Sequence, residues 1–566
     1  MLRRRFLSAV TLPATFACWL VGCSSVPEKQ HSSAGSPVVV TNQTDQNDAN
    51  ETQAEAHAHY AQGLIYELTE DNESAVREFT LAAKADPSNE RLVLDLARRE
   101  LQRNHPDQAL EILLPATALP NASGELFIRL AQVYVVLGKE SEALLASQTA
   151  VKRSPGELGG YLNGFLLQLK RGRSADALAI LNLASRQPNT SVEFLVGLAE
   201  LYSKLQVQAP SEKENSKPGA ESVLKRAAAL NPSTPFLRLK LAEDFYLLGD
   251  SKSATKIYQE IIDGNPESVA LREEARARLA DIYLRGSNPQ QATEQLKEIV
   301  KENPTNPQAY YFLGTLAIEA KKYDEALDHF QKALLLRDDF RESEQAYYTI
   351  IELQIQLNRV KPAFETLEKV RKKYPNNYRI EVLTAQAYSR EKDYTNAVTH
   401  FTSAEIMANA LSKGTLTEFF YFQLGAAHER VGDLAPAVRA FEKALELKPD
   451  FAEALNYYGY MLADRGEQLD RARKMIEKAL KQEPMNVAFL DSLAWVLFKQ
   501  NQPEAALSQI EKAVSLSEEP DATLFDHLGD ICAALKKTDR AREAWRKSLE
   551  LEKNEQIQKK LNQPPT

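Results

Sequence analysis

The chain has 566 residues, 43% of them hydrophobic and 26% charged, with a net charge of −9. That length exceeds one compact core, although an array of repeats grows in one dimension and escapes the domain count that length alone would give. The acidic balance argues against a nucleic-acid partner and against electrostatic adhesion to anionic lipid, and a total of only 22 glycines leans towards an all-α chain, because regular helix tolerates little glycine.

Residues 1–22 read as a processing signal rather than as structure. Arg3, Arg4 and Arg5 form a basic start, an apolar stretch runs from Phe6 to Val21, and Leu20-Val21-Gly22-Cys23 closes it. This order resembles the signal of bacterial lipoproteins, in which the cysteine thiol receives a diacylglycerol and the chain is cut just before it. The resemblance makes Cys23 the lipidation site and gives the chain a membrane contact through that anchor. Cys18 competes, but Thr15-Phe16-Ala17 before it matches the signal poorly. A retained membrane span is one alternative, and about 16 apolar residues interrupted by Pro13 fall short of the roughly 20 it needs. A plain secretory peptide is the other. Arg3-Arg4-Arg5-Phe6-Leu7 also resembles the twin-arginine motif, which leaves the export route open.

Removal of the three arginines leaves 66 basic against 78 acidic residues, a net charge of −12. Cys532 is then the one unmodified cysteine, so no intramolecular disulfide forms. Residues 23–55 read as the acylated cysteine followed by a flexible tether. The stretch is rich in Ser, Asn, Gln, Thr and Asp, and its one apolar cluster is Val38-Val39-Val40. About 30 residues of such coil span roughly 30 Å. Ser24 resembles the residue found in lipoproteins sorted to the outer membrane, which implies a cell-envelope location facing the periplasm.

From residue 56 a period close to 34 dominates. The clearest unit runs from Glu418 to Phe451, with Tyr421, Leu424, Gly425, Gly432, Ala437, Phe441, Ala444 and Pro449. Pro307 to Phe340 and Ala56 to Asn89 repeat the pattern. A glycine or alanine at the eighth position recurs with an alanine twelve residues on, as in Gly63/Ala75, Ala131/Ala143, Gly314/Ala326, Gly425/Ala437 and Gly529/Ala541. A large side chain at either point would push two helices apart. A large apolar residue falls four after the second alanine in nearly every unit. Prolines at 155, 266, 304, 375 and 484 separate units.

These residues resemble the tetratricopeptide (TPR) repeat, over roughly 56–555. The resemblance implies an all-α, right-handed superhelical solenoid of about 14 helical hairpins. An insert at 412–417 divides it into an N-terminal section, 56–411, and a C-terminal section, 412–566, and Asn554–Leu561 reads as a capping segment. Two units depart from the rule, with Phe165 and Ile351 at the small position, and are expected to be locally looser or differently crossed. The unit from Val192 carries nine extra residues within 206–219, expected as an exposed loop.

Chemistry-bearing motifs are missing. The eight histidines are scattered, and His57 and His59, two apart, face different ways on a helix. There is no phosphate loop, nucleophile elbow or zinc-protease motif. Four glycines within 156–164 follow no strand, which excludes a dinucleotide site. The expectation is a non-enzymatic protein with no cofactor and no metal.

The resemblance instead implies a protein-binding scaffold or adaptor whose partners lie along the concave surface of first helices. Segments such as Asn456-Tyr457-Tyr458-Gly459 and Asp526-His527-Leu528-Gly529 resemble the C-terminal repeats of outer-membrane TPR lipoproteins, some of which recruit carboxyl-terminal-processing proteases. A structural part of a secretion, pilus or polysaccharide-export assembly is the alternative. The groove offsets of the family, carried onto this sequence, give Phe419, Phe422, Asn456, Tyr460, Asp491, Trp495, Phe498, Asp526 and Asp530 as partner-binding residues. Exposed aromatic rings among carboxylates, Trp495 included, suit a partner with apolar anchors and basic flanks, and the alternative is that neighbouring helices or the terminal cap cover these rings. No Lys/Asn cluster resembles a carboxylate clamp, which argues against a chaperone-tail ligand.

Overall fold

A computed structural model describes residues 43–411, 416–519 and 521–562. The processing signal, Cys23 and the start of the tether lie outside the described residues. Among the described residues there are twenty-nine α-helices and one 3-10 turn, with no strand. The first helix, Gln43–Leu68, reaches well into the stretch expected as flexible tether. The residues from Ala49 to Ala56 are mostly Ala, Glu and Gln, which favour helix even where they bury little.

Consecutive helices pair as antiparallel hairpins. The chain separates into two compact units, one ending at Leu230 and one beginning at Asn231. The expected division at 412 is instead bridged by packing. Phe401, Ala404 and Ala408 on one side share a core with Leu416, Phe420 and Leu424 on the other. The first unit stacks five hairpins, from Gln43–Leu68 with Asn72–Ala85 to Val192–Gln208 with Lys213–Ala229. The second stacks nine, from Pro235–Leu247 with Ser251–Gly264 to Ala522–Ala534 with Thr538–Leu551, followed by a single helix, Glu555–Asn562.

Why the eighth position is small is visible at each glycine. A Cβ added at Gly63 would fall 2.6 Å from the Phe79 ring, at Gly314 3.0 Å from Phe330, and at Gly425 2.8 Å from Phe441. At Gly529 it would meet the Trp545 indole. The partner of the small residue is therefore the large side chain four after the second-helix alanine. That alanine, as at Ala75, Ala326, Ala437 and Ala541, is itself buried where the helices cross. Phe165 and Ile351 are fully buried at the same position, and their hairpins pack more openly than those of Gly314 and Gly425.

The turn inside each hairpin repeats as well. Thirteen of the fourteen place a residue at positive φ within two residues of the end of the first helix, as at Gly432 (φ 86°) and Lys321 (φ 58°). Such a left-handed residue ends a helix by redirecting the chain, and glycine adopts it without strain. The exception is the hairpin of the 206–219 insert, and there the expected loop is replaced by longer helices. Val192–Gln208 and Lys213–Ala229 run seventeen residues each, with Pro210–Glu212 between them. Gln206 donates to Ser216, whose side chain is buried, at 3.0 Å, so the added segment packs on itself.

Ala326→Leu and Ala437→Leu should each destabilise by about 1–3 kcal/mol through overpacking. The loss should stay within the altered hairpin and its neighbours. Thermal melting of both variants checks this, and unchanged melting would show that these alanines do not set the crossing.

Candidate protein-binding surface

The residues singled out in the C-terminal repeats lie on four first helices: Glu418–Val431, Ala452–Asp464, Val487–Lys499 and Ala522–Ala534. The last three pack side by side in sequence order, so a side chain leaving one meets the next.

Phe419 is exposed, at 49% of its full accessibility, and its ring lies 6.2 Å from Phe422. Phe422 is half-buried against Phe451 and Tyr457, each 5.7 Å away. Asn456 is half-buried, and its side-chain oxygen has no hydrogen-bonding partner among the described residues. Phe419 and Phe422 form one edge of the surface, and Asn456 lies on the next first helix.

Tyr460, Asp491, Trp495 and Phe498 form a second group, centred on a residue outside the expected set. His527 stacks on Trp495 with ring centres 4.0 Å apart and lies 6.0 Å from Tyr460. Its Nδ1 donates to the Asp491 carboxylate at 2.9 Å. The Trp495 indole donates to Asp464 at 3.0 Å, Phe498 stacks on its ring at 5.2 Å, and Lys499 approaches it at 4.8 Å. Trp495 is consequently 7% exposed. The expectation of an exposed tryptophan does not hold, because His527 of the next hairpin covers its face. Burial, then the Asp464 and Asp491 charges, push the Tyr460 hydroxyl above the usual phenol range.

Asp526 and Asp530 also have partners already. Lys560 of the terminal helix reaches Asp526 at 2.8 Å and Asp530 at 2.7 Å, and the Trp545 indole donates to Asp530 at 3.1 Å. Burial raises the Asp530 carboxyl, against the pull of Lys560. The terminal helix brings Ile557 into the last core cluster, so the basic and apolar flanks expected of a partner are here supplied by the chain itself. Lys560 has a signal in the sequence, because Ile557, Lys560 and Leu561 share the helical spacing of one face, whereas His527 has none within its own repeat.

Among the described residues no group of three His, Cys, Asp or Glu could hold a metal ion, and no helix is long and apolar enough to cross a membrane. Cys532 is buried, which pushes its thiol up and away from the reactive thiolate.

Family models agree with this architecture. Models described as tetratricopeptide repeat match residues 265–470 and 56–89, and one described as tetratricopeptide repeat-like domain matches 462–563. The chain belongs to the tetratricopeptide repeat family. It is 28% identical over 227 residues to a TPR repeat-containing protein of Pseudomonas aeruginosa, covering 39% of this chain and 36% of that protein. It is 23% identical to the human mitochondrial import receptor subunit TOM70, covering 52% of this chain and 43% of the receptor. It is 28% identical to the type IV pilus assembly protein PilF of Pseudomonas aeruginosa, covering 24% of this chain and 54% of PilF. The matches therefore span between a third and a little over half of these relatives. Arrays of this family present extended surfaces to other proteins.

Trp495→Ala should cost about 3 kcal/mol, since it empties a packed site. Phe419→Ala should cost less than about 1 kcal/mol. Urea denaturation followed by helicity compares the two, and equal losses would contradict the burial described here.

Proposed function

We propose that this protein is a non-enzymatic scaffold or adaptor of the bacterial cell envelope, anchored by lipid at Cys23 and binding a protein partner on its C-terminal first helices. The observation that carries the reading is the Phe419 edge. An exposed ring stands beside Phe422, and the Asn456 oxygen lacks a partner. A partner side chain that packs on Phe419 and Phe422 removes apolar area from water on both sides of the contact. The ordered first helices hold these groups in place beforehand, so little is lost to ordering on this side of the interface. Trp495, Tyr460, Phe498, Asp491, Asp526 and Asp530 then serve the site by fixing the helices behind it.

Two partner classes fit a scaffold of this kind: a periplasmic protease recruited to the surface, or the subunits of an envelope assembly. Resemblance to a pilus assembly protein favours the second. The basic, apolar, Leu-Val-Gly-Cys order of the first 23 residues supports the anchor.

A photo-crosslinking amino acid placed at Phe419 of the full-length protein in cells should give a discrete adduct with one envelope protein, and the same probe at Leu335 on a second helix should not. Radiolabelled palmitate should enter the wild type and not Cys23→Ala. No adduct at Phe419 would refute the binding edge, and an unlabelled wild type would refute the anchor.

A further inference from the structure

In nearly every hairpin, two positions of the first helix are covered where the second helix of the preceding hairpin packs on it. One lies five residues before the small position and the other two after it. In the fourth hairpin the earlier of the two is Gly160, where an added Cβ would fall 3.0 Å from Val151 of the preceding second helix, Glu140–Arg153. Leu126 and Val133, Ala309 and Leu316, and Phe489 and Val496 hold the two positions in other hairpins, and all are buried. In the first hairpin they are held by Ala58 and Ile65, and among the described residues no hairpin precedes these. Both are exposed, Ile65 at 53%. They belong to a longer stripe. Ala54, Ala58, Ala61, Ile65 and Leu68 recur at the spacing of one face of Gln43–Leu68, and all are exposed, Leu68 at 85%.

At its C-terminal end the chain closes a comparable face itself. The helix Glu555–Asn562 belongs to no hairpin, and it lays Ile557 in the last core cluster and Lys560 between Asp526 and Asp530. A short helix with an apolar stripe and a basic flank is what covers that end. The first hairpin offers a matching surface. From Glu51 to Val76 it has six carboxylates and no lysine or arginine. Glu51 and Glu55 lie at one end of the stripe and Glu70 at the other, all exposed. A second copy of the chain does not fit this charge. Two such stripes laid together bring Glu55 to Glu55 when parallel and Glu55 to Glu70 when antiparallel. Residues 24–42 do not fit it either, since Lys29 is their one lysine or arginine and Glu28 adjoins it.

We infer that this face docks a basic amphipathic helix of a partner protein, in the place that a preceding second helix takes elsewhere. The stripe from Ala54 to Leu68 is about 21 Å long, so the occupant is a helix of about 14 residues. Its apolar side combines alanine with branched residues, as Ala150 and Val151 do against Gly160. Lysine or arginine at both of its ends meets Glu51, Glu55 and Glu70. The face goes beyond the binding edge near Phe419, which lies in the other compact unit, and the two stand or fall separately.

The probe is the peptide acetyl-Lys-Lys-Ala-Ile-Ala-Gln-Ala-Leu-Lys-Gln-Ala-Ile-Ala-Lys-Lys-amide, titrated onto the full-length protein by calorimetry. In the comparison peptide glutamate replaces every lysine. The wild type should bind the lysine peptide at least about tenfold more tightly. Ile65→Glu and Leu68→Glu should each weaken that binding at least about tenfold, with thermal melting unchanged because both side chains are exposed. Glu51→Lys together with Glu55→Lys should erase the preference between the peptides. Leu335→Glu, exposed on a second helix of the other unit, should leave binding unaltered. Absence of binding by the wild type, equal binding of the two peptides, undiminished binding in Leu68→Glu, or an equal loss in Leu335→Glu would each overturn the proposal. So would a wild-type dimer in sedimentation that Leu68→Glu dissociates, which assigns the face to a second copy, or binding that appears only after residues 24–42 are deleted, which assigns it to the chain itself.

Discussion

Everything in this chain rests on one contact: a bulky side chain of the second helix laid on a position of the first helix that has almost no side chain. At Gly63, Gly314, Gly425 and Gly529 the ring of Phe79, Phe330, Phe441 or Trp545 occupies the space that a Cβ would take. The contact sets how closely two helices cross. The hairpin it produces buries one face against its neighbour and leaves a new face for the next. Stability is therefore a sum of local terms, and each hairpin depends on its own crossing and on the hairpins beside it.

Surfaces follow from the same contact. At the C-terminal end the first helices of successive hairpins lie close enough for side chains to bridge them, as in the Trp495–His527 stack with its Asp464 and Asp491 partners. At the C-terminal end the bridging continues into the terminal helix, whose Lys560 holds Asp526 and Asp530. Two features that resemble binding determinants, a tryptophan and a pair of carboxylates, are thus structural at this end of the array. The more open part of the layer is the Phe419 edge. Where the crossing is loose, at Phe165 and Ile351, the opening appears instead on the side of the second helices.

The fold was legible because the 34-residue period carries both the small residue and its bulky partner, and a period survives local noise. The site was legible only as a list of positions. Offsets within a repeat say where a Cα–Cβ bond starts, but not whether the next hairpin supplies a ring to cover it. His527 covers Trp495 through a contact 32 residues away in sequence, which no single repeat contains. The insert at 206–219 misled for a related reason. Its polar composition suggested a loop, but Ser216 is buried through its bond with Gln206 across a hairpin that the insert itself lengthens. The Ala, Glu and Gln residues near 50 carry the same ambiguity: they are polar in composition and yet favour helix.

Hydrogen exchange of the full-length protein, followed by mass spectrometry, tests the governing contact most directly, because local opening reports how well each hairpin is closed. The helices Ser174–Ser185 and Val360–Lys373, which face Phe165 and Ile351, should exchange about tenfold faster than Tyr323–Leu336 and Leu434–Leu447, which face Gly314 and Gly425. Equal protection in the four helices, or greater protection in the first two, would contradict the view that the small residue holds each hairpin shut.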